Sequence, residues 1–397
     1  MGSAPMVTSP RTRVALSAAC ATALALATPI SEASPANAAD TITAADQPYF
    51  AYYHLDQARA KGYTGKGVTV ALIDGPVDTS VAELSGASIS DKSPCPVNPS
   101  NDSRQHGTAD ASLLVAREYG VAPDVTLNSY QTMSSGSTAD SSCKDSALIY
   151  KHASLINHAI NDGAQIISIS ISSNDRNTSL KWAMARAISS GTIIVAGIGN
   201  SASDNDSGSL ATWSGVVGVS AVDINGARAD YSSWGQGVTT AAFGGPVITR
   251  DYPSNAFVET YGTSTSTPIV AGFLALARQK WPNATANQTL QVLVATGLNP
   301  NHEWNQYTGY GAANIGDLVN TDPSQYPDEN PLAQKEGGSK PTVDDVQDYS
   351  DGLVKPIYLN FSDSYVYRGA DESVLTLGDL GGANQVHLGT SPRYHRK

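Results

Sequence analysis

The sequence predicts an α/β protein of three layers, with helices covering both faces of a mainly parallel sheet. Three observations carry that prediction. Short runs rich in β-branched residues recur along the chain, nearly continuous in apolar character, as strands buried on both faces require. Stretches with helical spacing of apolar residues lie between or after them. Turn-forming Gly, Asn and Asp punctuate the boundaries.

In order, strands are expected at 68–74 (VTVALID), 125–132 (VTLNSYQT), 165–172 (QIISISIS) and 192–199 (TIIVAGIG). The helical patterns are HGTADASLLVARE, SALIYKHASLINHAINDG, TSLKWAMARAISSG and STPIVAGFLALARQKW. In such sheets the chemistry gathers at the carboxyl ends of the strands, so the polar residues just after each strand are the candidates.

The flanks read differently. Residues 1–39 have the form of a secretion signal: Arg11 and Arg13, an apolar run Val14–Ala27 too short to span a membrane, then small residues. Cleavage is expected after Ala38 or Ala39, giving an extracellular protein, with a retained anchor as the alternative. No other stretch is apolar enough to cross a bilayer. Without residues 1–39 the chain carries 22 Lys and Arg against 35 Asp and Glu, a net charge of −13. That argues against a nucleic-acid groove and against attraction to an anionic membrane. Cys20 lies in the signal; Cys95 and Cys143 remain, and export favours a disulfide between them over two free thiols. Residues 40–320 form the expected α/β domain. Residues 321–345, rich in Pro, Gly and charge, read as a linker. Residues 346–397 form a tail of unassigned role with two candidate strands, KPIYLNF and SYVYRG.

Four positions fall where a site belongs. Asp74 ends the first strand, His106 begins a helix, Asn200 follows the strand TIIVAGIG, and Ser264 opens the helix beginning after Gly262. A serine hydroxyl needs a base to take its proton as it attacks, and histidine titrates near neutrality. A carboxylate fixes the imidazole tautomer and stabilises the imidazolium. An amide side chain can donate to an oxyanion beside the nucleophile's own N–H. Each residue alone is an ordinary cap or turn. Four in this order, each at the expected sheet edge, are much harder to obtain by accident.

The segments GKGVTVALID, HGT, IIVAGIGN and GTSTSTPIVAG resemble the aspartate, histidine, oxyanion-asparagine and serine segments of subtilisin-like serine peptidases. GVAPDVTL, ADYSSWG and YTGYGAANI extend the resemblance over residues 48–318. It implies a subtilisin-like fold and a secreted endopeptidase with the triad Asp74, His106 and Ser264, and Asn200 at the oxyanion. It also implies cleft walls for a protein or peptide substrate at Ser170, Ile171 and Ser172 and at Gly197, Ile198 and Gly199. No cofactor is expected for catalysis. The family often binds Ca²⁺ at loop carboxylates; Asp204 and Asp206 are candidates, but no metal ligand can be assigned. A monomer is expected.

Several departures bear on function. DGPVD replaces the usual DTG or DSG and resembles subtilisin-like peptidases that process small ribosomal peptides. SIS replaces SLG, so Ser172 adds a side chain where glycine gives room, which implies altered specificity. Thr265 and Ser266 replace the usual Met and Ala. Only residues 40–66 precede the first strand where many relatives carry a folded pro-segment. Asp110, one turn after His106, stands where an apolar residue is usual. Either a neighbouring loop or solvent satisfies it, or it acts on His106 or the substrate. These departures leave two further readings beside hydrolysis: a dedicated processing protease or ligase, and a peptide-binding pseudoprotease.

Overall fold

In the computed structural model, seven parallel strands form one sheet. They are β1 (Thr69–Asp74), β2 (Ile89–Asp91), β3 (Thr126–Gln131), β4 (Ile166–Ile169), β5 (Ile193–Gly197), β6 (Val216–Val222) and β7 (Thr240–Phe243), lying in the order β2-β3-β1-β4-β5-β6-β7. Residues 41–368 are described, except 135, 144–145, 174, 205–208, 301–302 and 336–338. The expected signal at 1–39 lies outside them, as does Asp206.

The helices that matter for the site are α1 (Asn101–Val115), α2 (His152–Asn161), α3 (Thr178–Ser190) and α4 (Thr263–Lys280). Strand side chains alternate between faces, and two cores follow from that. Val70, Leu72, Leu127, Ile166, Val195 and Val219 pack with α1 and α4. Ala71, Ile73, Ile167, Ile169, Ile194 and Ala196 pack with α2 and α3. The three-layer expectation holds. The same alternation carries Asp74, Ser170 and Gly197 to the α1/α4 side, two or four residues beyond Leu72, Ile166 and Val195.

Some expectations shift in detail. α1 begins at Asn101, where Ser100 caps it by accepting from the Ser103 N–H, so His106 lies inside the helix. The pattern at 146–163 is two helices, Ser146–Ile149 and α2. Strands β2, β6 and β7 were not anticipated. Cys95 and Cys143 are joined, with Cα atoms 6.0 Å apart.

The stretch expected as a linker lies docked against the body. Leu332 is buried in the core with α4. Lys335 Nζ donates to the carbonyls of Ala211 (2.5 Å), Val216 (2.6 Å) and Gly237 (2.9 Å). Beyond it, α5 (Val343–Ser350) packs on α3. Val354, Leu359, Tyr365 and Tyr367 close a small core over Trp182 and Ala185. KPIYLNF is not a strand: Pro356 begins a 3₁₀ turn to Tyr358 and Ile357 and Tyr358 are both exposed, so the alternation a strand needs is broken. Residues 364–368 of SYVYRG are likewise not in a strand. Among the described residues no helix is long and apolar enough to cross a membrane.

Candidate active site

The carboxylate and the imidazole meet because two backbones approach without side chains between them. A Cβ on Gly75 would collide with the Ser103 carbonyl, and one on Gly107 with the Gly75 carbonyl. Helix α1 can therefore lie directly on the turn after β1. His106 Nδ1 sits 2.7 Å from Asp74 Oδ1, which also accepts the Gly75 N–H at 2.6 Å. Asp74 is fully buried, while 17% of the His106 side chain is exposed. With Nδ1–H donating to the carboxylate, Nε2 keeps its lone pair for another partner. Burial lowers the pKa of His106, but Asp74 and Asp110 outweigh it and raise the value to about 9.

Ser264 is the second residue of α4, at 4% exposure. The helix containing it packs against the helix containing His106. The first N–H groups of a helix have no intrahelical acceptor; that of Thr263 goes to Asn200 Oδ1 at 2.8 Å. The Thr263 hydroxyl donates to the same oxygen at 3.0 Å and accepts the Gly199 N–H at 3.2 Å. With Oδ1 so engaged, the Asn200 amide turns its Nδ2 the other way. A Cβ built on Gly262 would lie 2.9 Å from Ser264 Oγ and 3.0 Å from Asn200 Nδ2, so both side chains border one small space.

Pro268 lacks the N–H that would bond the Ser264 carbonyl four residues back. Ser170 Oγ supplies a donor there instead, at 3.3 Å. Ser170 thus ties the end of β4 to the first turn of α4, besides its expected place at a cleft wall. Ile171 is half-buried and Ser172 exposed beside it. Gly197 and Gly199 are partly exposed. Ile198 differs from its expected place: its side chain is buried with Ala211 and Val238, so only its backbone is available to the cleft.

Asp110 is fully buried, which excludes a solvated helix face or substrate contact. Its polar neighbours are His106, Asp74 and Ser170, and burial followed by the Asp74 charge pushes its carboxyl well above the usual range despite His106. Asp74, His106 and Asp110 each bring one polar atom to within 4.8 Å of the others. Asp74 and His106 are paired with each other at 2.7 Å. Asp204 bridges to Trp234 at the edge of its loop.

The comparisons agree with this architecture. The model of the subtilase family matches residues 65–311. Subtilisin DY of Bacillus licheniformis is 33% identical over 272 residues, spanning 66% of this chain and 93% of its own. Among solved structures, the prenylagaramide maturation protease PagA matches with a TM-score of 0.55 and 25% identity, over 67% of this chain and 97% of its own. MycP1 from the ESX-1 type VII secretion system shares the fold, with a TM-score of 0.59 at 24% identity, over 74% of this chain and 91% of its own. On the match across its α/β domain, this chain belongs to the subtilase family and is a serine endopeptidase.

Proposed function

We propose that the protein is a secreted endopeptidase acting as a monomer on protein or peptide substrates through Ser264, His106, Asp74 and Asn200. Ser264 Oγ attacks the scissile carbonyl while His106 Nε2 takes its proton. The tetrahedral oxyanion forms in the space bordered by the Asn200 Nδ2 and the Ser264 N–H, at the positive end of α4. Collapse expels the amine, which receives the proton from His106, and leaves an acyl-enzyme. Water, deprotonated by His106, then releases the acid. Asp74 holds the tautomer and stabilises the imidazolium throughout. Catalysis in subtilases needs no cofactor. The leader-like residues 1–39 support export.

The observation that carries this reading is the 2.7 Å Asp74–His106 contact, with Ser264 at the head of the adjoining helix. Extended substrate would lie between Ser170–Ser172 and Gly197–Gly199, pairing by its backbone. Exposed Ser172 narrows that channel. A dedicated processing role, with hydrolysis or transfer of the acyl group to an amine, is favoured by the PagA likeness over nearly all of that protease.

A cleavage profile on a diverse peptide library tests both readings. Broad cleavage supports a general endopeptidase, and a single permitted motif supports processing. Ser264→Ala should lower kcat by about 10⁶-fold, the magnitude known from subtilisin itself. It should also abolish fluorophosphonate labelling; near-normal turnover by that variant refutes the assignment.

A further inference from the structure

Asp110 is the one carboxylate of the centre to which the reaction above gives no task. It lies on α1 four residues after His106, hence on the same helix face. Both of its oxygens and Asp74 Oδ2 are buried, and no side chain or backbone group among the described residues donates a well-formed hydrogen bond to them. The surroundings offer little else. From β1 comes Asp74, and from the end of β4 comes Ser170, whose hydroxyl lies 3.3 Å from the Ser264 carbonyl and has Asp110 as its other acceptor within reach, a downward push on the Asp110 carboxyl that burial outweighs. From α4, residues 263–277 contain no titratable group. Arg250, on the strand Val247–Arg250 packed against α1, and Glu83, on the turn Ala82–Leu84 against it, are bonded to each other at 2.7 Å. Towards its start α1 meets Asp78, which accepts from Tyr252 and lies near Arg104.

Three orphaned acceptor oxygens on two adjoining buried carboxyl groups call for one proton between them. The geometry points to Asp110 as a positioning residue that stays neutral in the working protein and donates its O–H to Asp74 Oδ2. Asp74 then receives Gly75 N–H and His106 Nδ1–H on one oxygen and Asp110 O–H on the other. The carboxylate is fixed in plane against the imidazole, and the chain of contacts runs Asp110, Asp74, His106, Ser264. A second anion here would oppose the first in a site without solvent, and would hold His106 protonated and unable to accept the serine proton. The raised carboxyl of Asp110 is consistent with the neutral form.

This inference rests on the proposed triad, and its test begins in resting protein, where turnover is not needed. Infrared difference spectra at neutral pH should show the carbonyl stretch of a protonated, buried carboxylic acid, absent in Asp110→Asn. Asparagine keeps a neutral donor at the same place. Asp110→Asn should therefore retain kcat within about threefold, with the acid limb of kcat/KM unmoved. Asp110→Leu removes the donor and should lower kcat about 10–100-fold at little changed KM, the range for losing a hydrogen bond to a charged group. Absence of the band, or a fall of a unit or more in the acid limb of Asp110→Asn, shows an ionised Asp110 and overturns the inference. Should Asp110→Leu not fold, the band and the asparagine variant decide alone. Failure of the triad itself is read separately, from Ser264→Ala.

Discussion

Asn200 Oδ1 accepts both the backbone N–H and the hydroxyl of Thr263, at 2.8 and 3.0 Å. The two donors orient the amide, with its oxygen towards Thr263 and its nitrogen towards the space beside Ser264. Thr263 therefore orients the amide as well as opening α4. Asn200→Ala should lower kcat about 10²–10³-fold, the magnitude known for an oxyanion donor in subtilisin itself. Thr263→Val removes one of the two anchors and should cost about 3–10-fold, with Thr263→Ser restoring it. The double variant Thr263→Val/Asn200→Ala should be no slower than Asn200→Ala, since an absent amide cannot be misoriented. Additive losses in steady-state kinetics would refute the coupling.

The pH dependence follows from His106. In the proposed mechanism only the neutral imidazole takes the serine proton, so kcat/KM should fall as pH drops through its pKa. Burial acts to lower that pKa and the two carboxylates raise it, to about 9. The acid limb should therefore lie above the ordinary histidine value, reaching about 9 only if both carboxyls are ionised. Asp74→Asn removes the main upward push and should move the limb to lower pH while lowering kcat. A limb below the ordinary value in the wild-type protein would contradict the Asp74–His106 electrostatics.

Gly262 tests the oxyanion space directly. Its φ of 162° is extended, so alanine meets no backbone strain there. The added Cβ would stand 2.9 Å from Ser264 Oγ and 3.0 Å from Asn200 Nδ2, where a substrate oxyanion is proposed to sit. Gly262→Ala should slow fluorophosphonate labelling about 10²–10³-fold, by the loss of oxyanion stabilisation. Its thermal midpoint should stay within a few degrees of wild type. Unimpaired labelling would place the oxyanion elsewhere.

Four strands of the sheet, β1, β3, β4 and β5, and the four site segments were legible because strand ends announce themselves locally, through apolar runs followed by polar or turn-forming residues. Asp110 was legible as a departure, yet its burial was not. Residues 107–115 of α1 are all covered, a property of β1, α4 and the strand Val247–Arg250 meeting around one helix, which no local pattern encodes. β7 was missed because four residues, TAAF, carry too little periodicity to stand out. Ile198 was assigned to the wall with its flanking glycines, but strand alternation turns its side chain to the core. Lys335 shows the same limit from the other side. A lysine in a Pro- and Gly-rich stretch reads as solvated, and only the tertiary structure supplies the three carbonyls it meets.

That lysine and the segment after it bear on stability more than on chemistry. Arg186 of α3 is 3% exposed and donates to the Asn157 carbonyl and Oδ1 and, at 2.8 Å, to Ser364 Oγ in the C-terminal stretch. Trp182 and Ala185 are covered by Val354, Leu359, Tyr365 and Tyr367. All of this lies over α3, on the face of the sheet away from the Asp74 side chain. Ending the chain at Asn320 would bare Trp182, strip Arg186 of Ser364 and leave the Ala211, Val216 and Gly237 carbonyls without Lys335. Lys335→Met alone should cost about 1–3 kcal/mol, the range for unpairing buried polar groups, and lower the thermal midpoint by a few degrees. The truncation should lower it further, since it adds the loss of the Trp182 core. Below the transition both variants should label at Ser264 as fast as the full chain: the truncation also takes Leu332 from the core that α1 and α4 share, but neither change removes a hydrogen-bond partner of Asp74, His106, Asn200 or Ser264. Slow labelling of a folded truncated protein would show that the C-terminal segment acts on the site, and an unchanged midpoint would show that its docking contributes nothing to the fold.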